Sequence, residues 1–334
     1  MKTIIIAEAG VNHNGSLEMA LDMVKAAAEA GADYIKFQTF KAENLVTASA
    51  RKAEYQKKNC GDSDASQLNM LKALELSAAD FAIIADKCNK EGIGFMSTPF
   101  DMQSVDTLAS IGMDFWKIPS GEITNLPLMR KIGAQGGKII LSTGMSTMAE
   151  VEAAVDALAA SGVKLHDIYL LHCTTQYPAP LHSVNLRAMD ALHTFHTAGV
   201  GYSDHTAGIL VPIAAVARGA KIVEKHFTLN RNLPGPDHKA SIEPDELKKM
   251  VEQIRDIETA LGEPDKNVAE AEAPNRTIAR KSIVASRHIA AGEILTEENL
   301  ACKRPASGLS PMLWDQVTGT RAVRDFMPDE PIEI

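Results

Sequence analysis

The sequence predicts an α/β protein, a (β/α)8 TIM barrel followed by a small second domain. Three observations predict it. Eight short apolar runs alternate with amphipathic stretches over roughly 260 residues, the rhythm of repeated strand–helix units in a parallel sheet. Polar or ionisable residues fall at the end of every run, where the mouth of a barrel would lie. The texture then changes after residue 262, where a polar, proline-containing stretch leads into short strands and turns. A doubly wound open sheet is the competing architecture, but no GxGxxG follows the first run.

Taken in order, the expected strands are Thr3–Glu8, Tyr34–Gln38, Gly94–Ser97, Phe115–Ile118, Lys138–Ser142, Ile168–His172, Val200–Ser203 and Ile222–His226. Helical periodicity marks Ser16–Ala30, Ser77–Asn89, Asp101–Ile111, Thr147–Ser161 and Ile209–Arg218, and Pro244–Leu261 closes the barrel. A long polar insertion, Phe40–Leu76, breaks the rhythm after the second strand, and connections of that length are usually functional or mobile. The expected domains are a barrel over 1–262, a linker over 263–278 and a compact tail over 279–334. Within the tail, Lys281–Ala285 reads as a strand, Thr296–Leu300 as a short helical piece and Lys303–Gly308 as a loop. A core this small is marginal alone.

Composition narrows the function. The chain has 334 residues, is 45% hydrophobic and carries a net charge of −9, so neither nucleic acid nor an anionic membrane is an expected partner. An anionic substrate would need local lysines against that field. Cys60, Cys88, Cys173 and Cys302 are scattered without a CxxC pair, the usage of reduced thiols in a cytoplasmic protein. The apolar run in Met1–Glu8 is too short for a signal peptide or a membrane span, and no 18-residue apolar run follows.

The strand ends carry the chemistry. Alternate residues of a strand share a face, so Glu224 and His226 point together, as do Ser203 and His205. Two imidazoles at adjacent strand ends, with Asp204, Glu224 and Asp237 near them, suit a divalent metal such as Mn2+, Mg2+ or Zn2+, although a lone histidine is more often a satisfied core group. Lys36 and Lys117 are each flanked by apolar residues, which sets them apart from solvated surface lysines. With Ser120-Gly121 and Ser142-Thr143-Gly144 they suit a phosphate or carboxylate; a Schiff-base role is the rival. Glu8 reads equally as a base and as a hydrogen-bonding carboxylate at the mouth. Tyr177, in Thr175-Gln176-Tyr177-Pro178, sits above the sixth strand as a substrate contact or a loop anchor, while Cys173, Phe115 and Trp116 read as packing.

Ala7-Glu8-Ala9-Gly10-Val11-Asn12-His13-Asn14-Gly15, Lys36-Phe37-Gln38, Ser97-Thr98-Pro99-Phe100 and Lys117-Ile118-Pro119-Ser120-Gly121-Glu122 stand in that order along the chain. Leu141-Ser142-Thr143-Gly144-Met145, His172-Cys173-Thr174-Thr175, Gly201-Tyr202-Ser203-Asp204-His205, Glu224-Lys225-His226-Phe227 and Gly235-Pro236-Asp237-His238 follow. Through these strings nearly the whole chain resembles the sialic acid synthases, and Lys303-Arg304-Pro305 resembles their C-terminal antifreeze-like (SAF) domain. The resemblance implies condensation of phosphoenolpyruvate with an N-acetylated hexosamine, with C–O cleavage. N-acetylmannosamine would give N-acetylneuraminate; the alternative, 2,4-diacetamido-2,4,6-trideoxymannose, would give legionaminate. A pyruvate lyase working through a Schiff base and a non-catalytic carbohydrate-binding protein are the other readings.

By the same resemblance, Mn2+ or Mg2+ is the expected cofactor, held by His205 and His226. Lys36, Lys117, Ser120, Thr175 and Ser203 hold phosphoenolpyruvate. Gln38, Glu122, Tyr177 and Arg304 would hold the sugar, and Glu8, Glu122 and Asp237 would handle protons. Some relatives carry an asparagine where this chain has Thr174-Thr175. A domain-swapped homodimer is implied, with Arg304 of one subunit capping the other's site. Discrimination between sugars is expected in the insertion, around Tyr55, Gln56 and Asn59.

Overall fold

The computed structural model describes residues 2–53, 56–57, 59 and 66–334. The first unit, Met1–Gly262, is the barrel and the second is Glu263–Ile334. The eight barrel strands are β1 (Ile4–Gly10), β2 (Tyr34–Thr39), β3 (Gly94–Pro99), β4 (Phe115–Ile118), β5 (Lys138–Ser142), β6 (Ile168–Cys173), β7 (Gly199–Asp204) and β8 (Ile222–His226). All pair in parallel, in the order β3-β2-β1-β8-β7-β6-β5-β4, and β3 lies beside β4 to complete the ring.

The two-residue alternation of the strands builds the interior in layers. Ile6, Met96, Phe115, Ile140, Leu171 and Ile222 form an apolar layer inside the ring, with Tyr34 packed against it. Two residues further along the same strands stand Glu8, Thr98, Lys117, Ser142, Cys173 and Glu224, and Lys36 follows Tyr34 in the same way. The strands are therefore apolar at the middle of the barrel and polar at its C-terminal mouth. Residues of the opposite parity, such as Ile5, Ile35, Val200 and Val223, pack outward into the main core beneath the helices.

Helix starts are set by short polar caps. Ser16 accepts from the Met19 amide at the start of α1 (Leu17–Glu29), and Ser77 with Asp80 closes a reciprocal cap on α2 (Ala78–Glu91). Asp101 caps α3 (Met102–Ile111), Asn125 caps α4 (Leu126–Gly133), and Thr147 with Glu150 caps α5 (Met148–Ala160). The remaining barrel helices are α6 (Ala188–Leu192), α7 (Leu210–Ala217) and α8 (Pro244–Leu261). Periodicity did not reveal α4 and α6, which are eight and five residues long and span too few turns to make a stripe. Among the described residues no helix is long and apolar enough to cross a membrane.

The described part of the insertion after β2 has its own small core. Short helices Ala42–Leu45 and Gln67–Lys72 bring Ala42, Leu71 and Leu74 against Val11 and Phe40, with Met70 and Phe100 packed at the edge. Tyr55 lies outside the described residues.

The second unit has its own core of Ile283, Ala285, Ile289, Leu295, Leu300, Val317, Ala322, Phe326 and Ile332. Strands β9 (Ser282–Ala285) and β10 (Leu300–Lys303) pair antiparallel within it. The stretch expected as a linker contains a helix, Ala273–Ala279, started by Pro274 in its first turn. Thr296–Leu300 is a turn leading into β10 rather than a helical piece. Asn299 explains this, because its side chain takes the Thr296 amide through Oδ1 and donates to the Ile294 carbonyl, closing the loop on itself. Arg304 is exposed.

Candidate active site

The barrel mouth opens into a cavity of about 310 Å3. Register explains who meets whom. Glu8 is level with Lys36 of β2 on one side and with His226 of β8 on the other, and Ser203 of β7 is level with Glu224 of β8. Between Glu8 and Gly10 the β1–β2 register shifts, and Gly10 takes φ +54°. A Cβ there would lie 3.3 Å from both the Gln38 amide and the Glu8 carboxylate, so the glycine keeps that pair in place.

Lys36 Nζ lies 2.6 Å from Glu8 Oε2 and 3.6 Å from Glu224 Oε2, and it donates to Thr98 Oγ1 at 3.3 Å. Lys117 Nζ donates to Ser142 Oγ at 2.7 Å and stands 3.9 Å from Glu224 Oε2. Ser203 Oγ donates to Glu224 Oε1 at 3.0 Å, and Gln38 Nε2 to Glu8 Oε1 at 3.2 Å. Ser120 Oγ accepts from the Gly144 amide at 2.9 Å and touches Cys173 Sγ at 3.2 Å. Gly144 has no space for a Cβ, which would meet Ser120 Oγ at 2.8 Å.

Burial and charge pull these groups in different directions. Burial works against the charge on Lys36, but Glu224 and Glu8 outweigh it and raise its pKa. Lys117 is lowered, because burial dominates and Glu224 only partly offsets it. Glu224 is held down at about 2 against its burial by Lys117 and Lys36. Burial pushes Glu8 up, with Lys36 pulling it back only in part. Asp237 is pushed up to about 7 by burial and then by the Glu8 charge. The floor is thus two carboxylates against two lysines, one of them poorly neutralised, and an arriving anion would favour the charged form of both.

The histidines sit on one wall. His205 and His226 have ring centroids 5.5 Å apart, and Tyr177 packs 4.2 Å from His205 and edge-on to His226 at 5.6 Å. The Thr174 carbonyl accepts from His205 Nδ1 at 2.6 Å, which leaves Nε2 as the lone-pair nitrogen. His226 Nδ1 is buried without a hydrogen-bond partner. Burial lowers the pKa of both, so both are neutral imidazoles. Among the described residues no group of three histidine, cysteine or carboxylate side chains is arranged to hold a metal. Two neutral imidazoles, each with a nitrogen to offer, fit a divalent ion that takes its other ligands from substrate or water.

The structure brings together Glu8, Lys36, Gln38, Lys117, Ser120, Thr175, Tyr177, Ser203, His205, His226 and Asp237 around one cavity. Glu122 is not among its lining residues; its carboxylate accepts from Asn125 Nδ2 at 2.6 Å. Arg304 belongs to the second unit. His172 hydrogen-bonds the Val184 carbonyl and does not line the cavity. Cys173, expected to be packing, is buried but lines the cavity as well. Sequence reasoning placed Glu224 near the histidines without giving it a part, yet it stands within ion-pair reach of both lysines of the floor. Its two-residue offset from His226 was the available signal. Thr98 and Ser142 were signalled in the same way, by parity with Met96 and Ile140. The lining residues Met70, Leu71 and Leu74 gave no sequence signal, because apolar residues in a loop read as packing, whereas Val11 and Phe100 stand within two of the strings that carry the resemblance.

Comparison with known proteins agrees with this architecture. The NeuB family model matches residues 23–266, and the SAF domain model matches 280–333. The chain is 51% identical to the N,N'-diacetyllegionaminic acid synthase of Campylobacter jejuni over 334 residues, covering 99% of each protein. It is 48% identical to the N,N'-diacetyllegionaminic acid synthase of Legionella pneumophila, covering 96% of this chain and 90% of that one. The crystal structure of the N-acetylneuraminic acid synthetase from Leptospira borgpetersenii superposes with a TM-score of 0.72 at 34% identity, covering 82% of this chain and 90% of that one. A family model spanning most of the barrel and relatives aligned almost end to end establish the lineage: the chain belongs to the NeuB family and carries a SAF domain at its C-terminal end.

Proposed function

We propose that the protein condenses phosphoenolpyruvate with 2,4-diacetamido-2,4,6-trideoxymannose, releasing phosphate and a nine-carbon 2-keto acid of the legionaminate type. The observation that carries this reading is the near-complete alignment, at about half identity, with two N,N'-diacetyllegionaminic acid synthases. It favours the diacetamido sugar over the N-acetylmannosamine first expected from the sequence. N-acetylmannosamine stays as the second reading, supported by the fold match to an N-acetylneuraminic acid synthetase at lower identity.

The chain's own groups divide the work. Lys36 and Lys117, with Ser120, Thr175 and Ser203, bind the phosphate and carboxylate of phosphoenolpyruvate. Glu224 sits between the lysines and holds their spacing. Gln38 and Tyr177 orient the sugar, and Arg304 of a second subunit is assigned to it. Carbon 3 of phosphoenolpyruvate attacks the sugar aldehyde, water adds at carbon 2, and phosphate leaves by C–O cleavage. Glu8 and Asp237, both pushed up by burial, are the groups assigned to exchanging protons with the aldehyde oxygen and the water. His205 and His226 would hold Mn2+ or Mg2+, which when bound supplies Lewis-acid assistance at the aldehyde. No Schiff base is required of either lysine.

The test is phosphate release from phosphoenolpyruvate with Mn2+, comparing the two sugars. Higher kcat/KM with the diacetamido sugar is expected. Preference for N-acetylmannosamine would move the assignment to N-acetylneuraminate synthesis, and no release with either sugar would overturn the synthase reading.

A further inference from the structure

The cavity has two chemically different sides. Its floor is charged and hydroxylated, with Lys36, Lys117, Glu8, Glu224 and Ser203. The insertion contributes another kind of surface. Met70, Leu71 and Leu74, from the helix Gln67–Lys72 and the turn after it, line the cavity together with Val11 and Phe100. These five belong to the small apolar cluster of the insertion, separate from the barrel core. Val11, Leu71 and Leu74 are buried, and Phe100 meets Phe40 edge-on at 6.5 Å. The insertion is also tied to the loop that carries Asp237, because Asn59 Nδ2 donates to the Pro236 carbonyl at 2.6 Å.

We propose that this apolar wall, centred on Met70 and Leu74, reads the C6 end of the sugar and selects a 6-deoxy methyl group over a 6-hydroxyl. The inference rests on the synthase reading above. The aldehyde carbon must approach phosphoenolpyruvate on the lysine floor, so the far end of the sugar is carried away from that floor toward the insertion. A methyl group placed there buries apolar surface. A hydroxyl placed there gives up its water and meets carbon and sulfur atoms that cannot replace those hydrogen bonds; Gln56 of the insertion also lines the cavity, but its Oε1 already accepts from the Ala53 amide at 2.8 Å. Discrimination of this kind in an apolar pocket is worth roughly 10-fold or more.

The experiment compares N-acetylmannosamine with its 6-deoxy analogue, two sugars that differ only at C6, and includes 2,4-diacetamido-2,4,6-trideoxymannose as a third substrate. Phosphate release is read as kcat/KM with the full-length protein. The wild type is expected to favour the 6-deoxy analogue by about 10-fold or more. Met70→Gln, nearly the same length but polar, should cut that ratio several-fold, and Met70→Leu should restore it. Leu74→Asn, checked for folding by its Tm, should act in the same direction. A wild-type ratio at or below one overturns the wall assignment while leaving the synthase reading intact. So does a ratio unchanged in both polar variants with folding preserved. No release with any of the three sugars overturns the synthase reading and the wall together.

Discussion

Two buried lysines of one barrel, one residue apart in register, show what separates a structural charge from a chemical one. Lys225, on the outward parity of β8, is fully buried, and its ammonium is held 2.6 Å from Asp204 Oδ2 and by the Thr206 carbonyl. Asp204 in turn accepts from the Thr206 hydroxyl and amide. Lys36, on the inward parity of β2, is nearly as buried but looks into a cavity, shares two carboxylates and has a poorly neutralised neighbour in Lys117. The first cluster is closed. The second has capacity left over, with Glu224 Oε2 lacking any hydrogen-bond partner. Burial alone does not mark a functional charge; incomplete satisfaction beside open space does.

That contrast can be broken by three experiments. Lys225→Met leaves Asp204 buried without its partner and should cost about 3–5 kcal/mol of stability, read by urea unfolding. A change under about 1 kcal/mol would mean the closed pair is not the structural element it resembles. Lys36→Met should lower kcat/KM for phosphate release by roughly 10²–10³-fold, the scale for removing one preorganised charge-stabilising donor. Its Tm should fall less than that of Lys225→Met, because the carboxylates it abandons face a cavity; the opposite order would dissolve the distinction.

Asp237→Asn sharpens the comparison most gently, through pH. Asp237 is raised from 3.8 to about 7, so the folded protein holds that proton more tightly than the unfolded chain does. Its contribution to stability is complete below pH 3.8 and is lost as pH climbs through about 7. The asparagine variant should therefore show a flatter Tm between those limits than the wild type. A slope identical in both proteins would remove Asp237 from the set of strained site groups.

Much of the barrel was legible because its signals are local and periodic. Phe115–Ile118, Lys138–Ser142 and Ile222–His226 were read to the residue, since each is a short apolar run bounded by turn-forming residues. The stretches read from periodicity begin at Ser16, Ser77, Asp101 and Thr147, the residues whose side chains cap those helices in the structure. The lysines and histidines of the cavity were legible as charges inside apolar runs. What escaped depends on relations between distant segments. Strand parity already put Glu224 on the face of His226 and Lys225 on the other, but the partners of each, Lys36 and Lys117 for Glu224 and Asp204 for Lys225, are set only across strands. The wall formed by Met70 and Leu74 exists only once the insertion folds back over the mouth. Asn299 defeated the helical reading of Thr296–Leu300 by a side-chain bond that no periodicity records.

The neighbours Glu224 and Lys225 also say something about how such a chain can be inherited. A one-residue deletion in β8 would exchange their faces, sending the lysine into the mouth and the carboxylate beneath the helices, and would turn His226 outward with them. Many single replacements in the strand cost one contact, whereas a single frame error in its length costs both charge clusters together. A change of length is tolerable only in the connections between strands, and the longest of these, the insertion after β2, also lines the cavity.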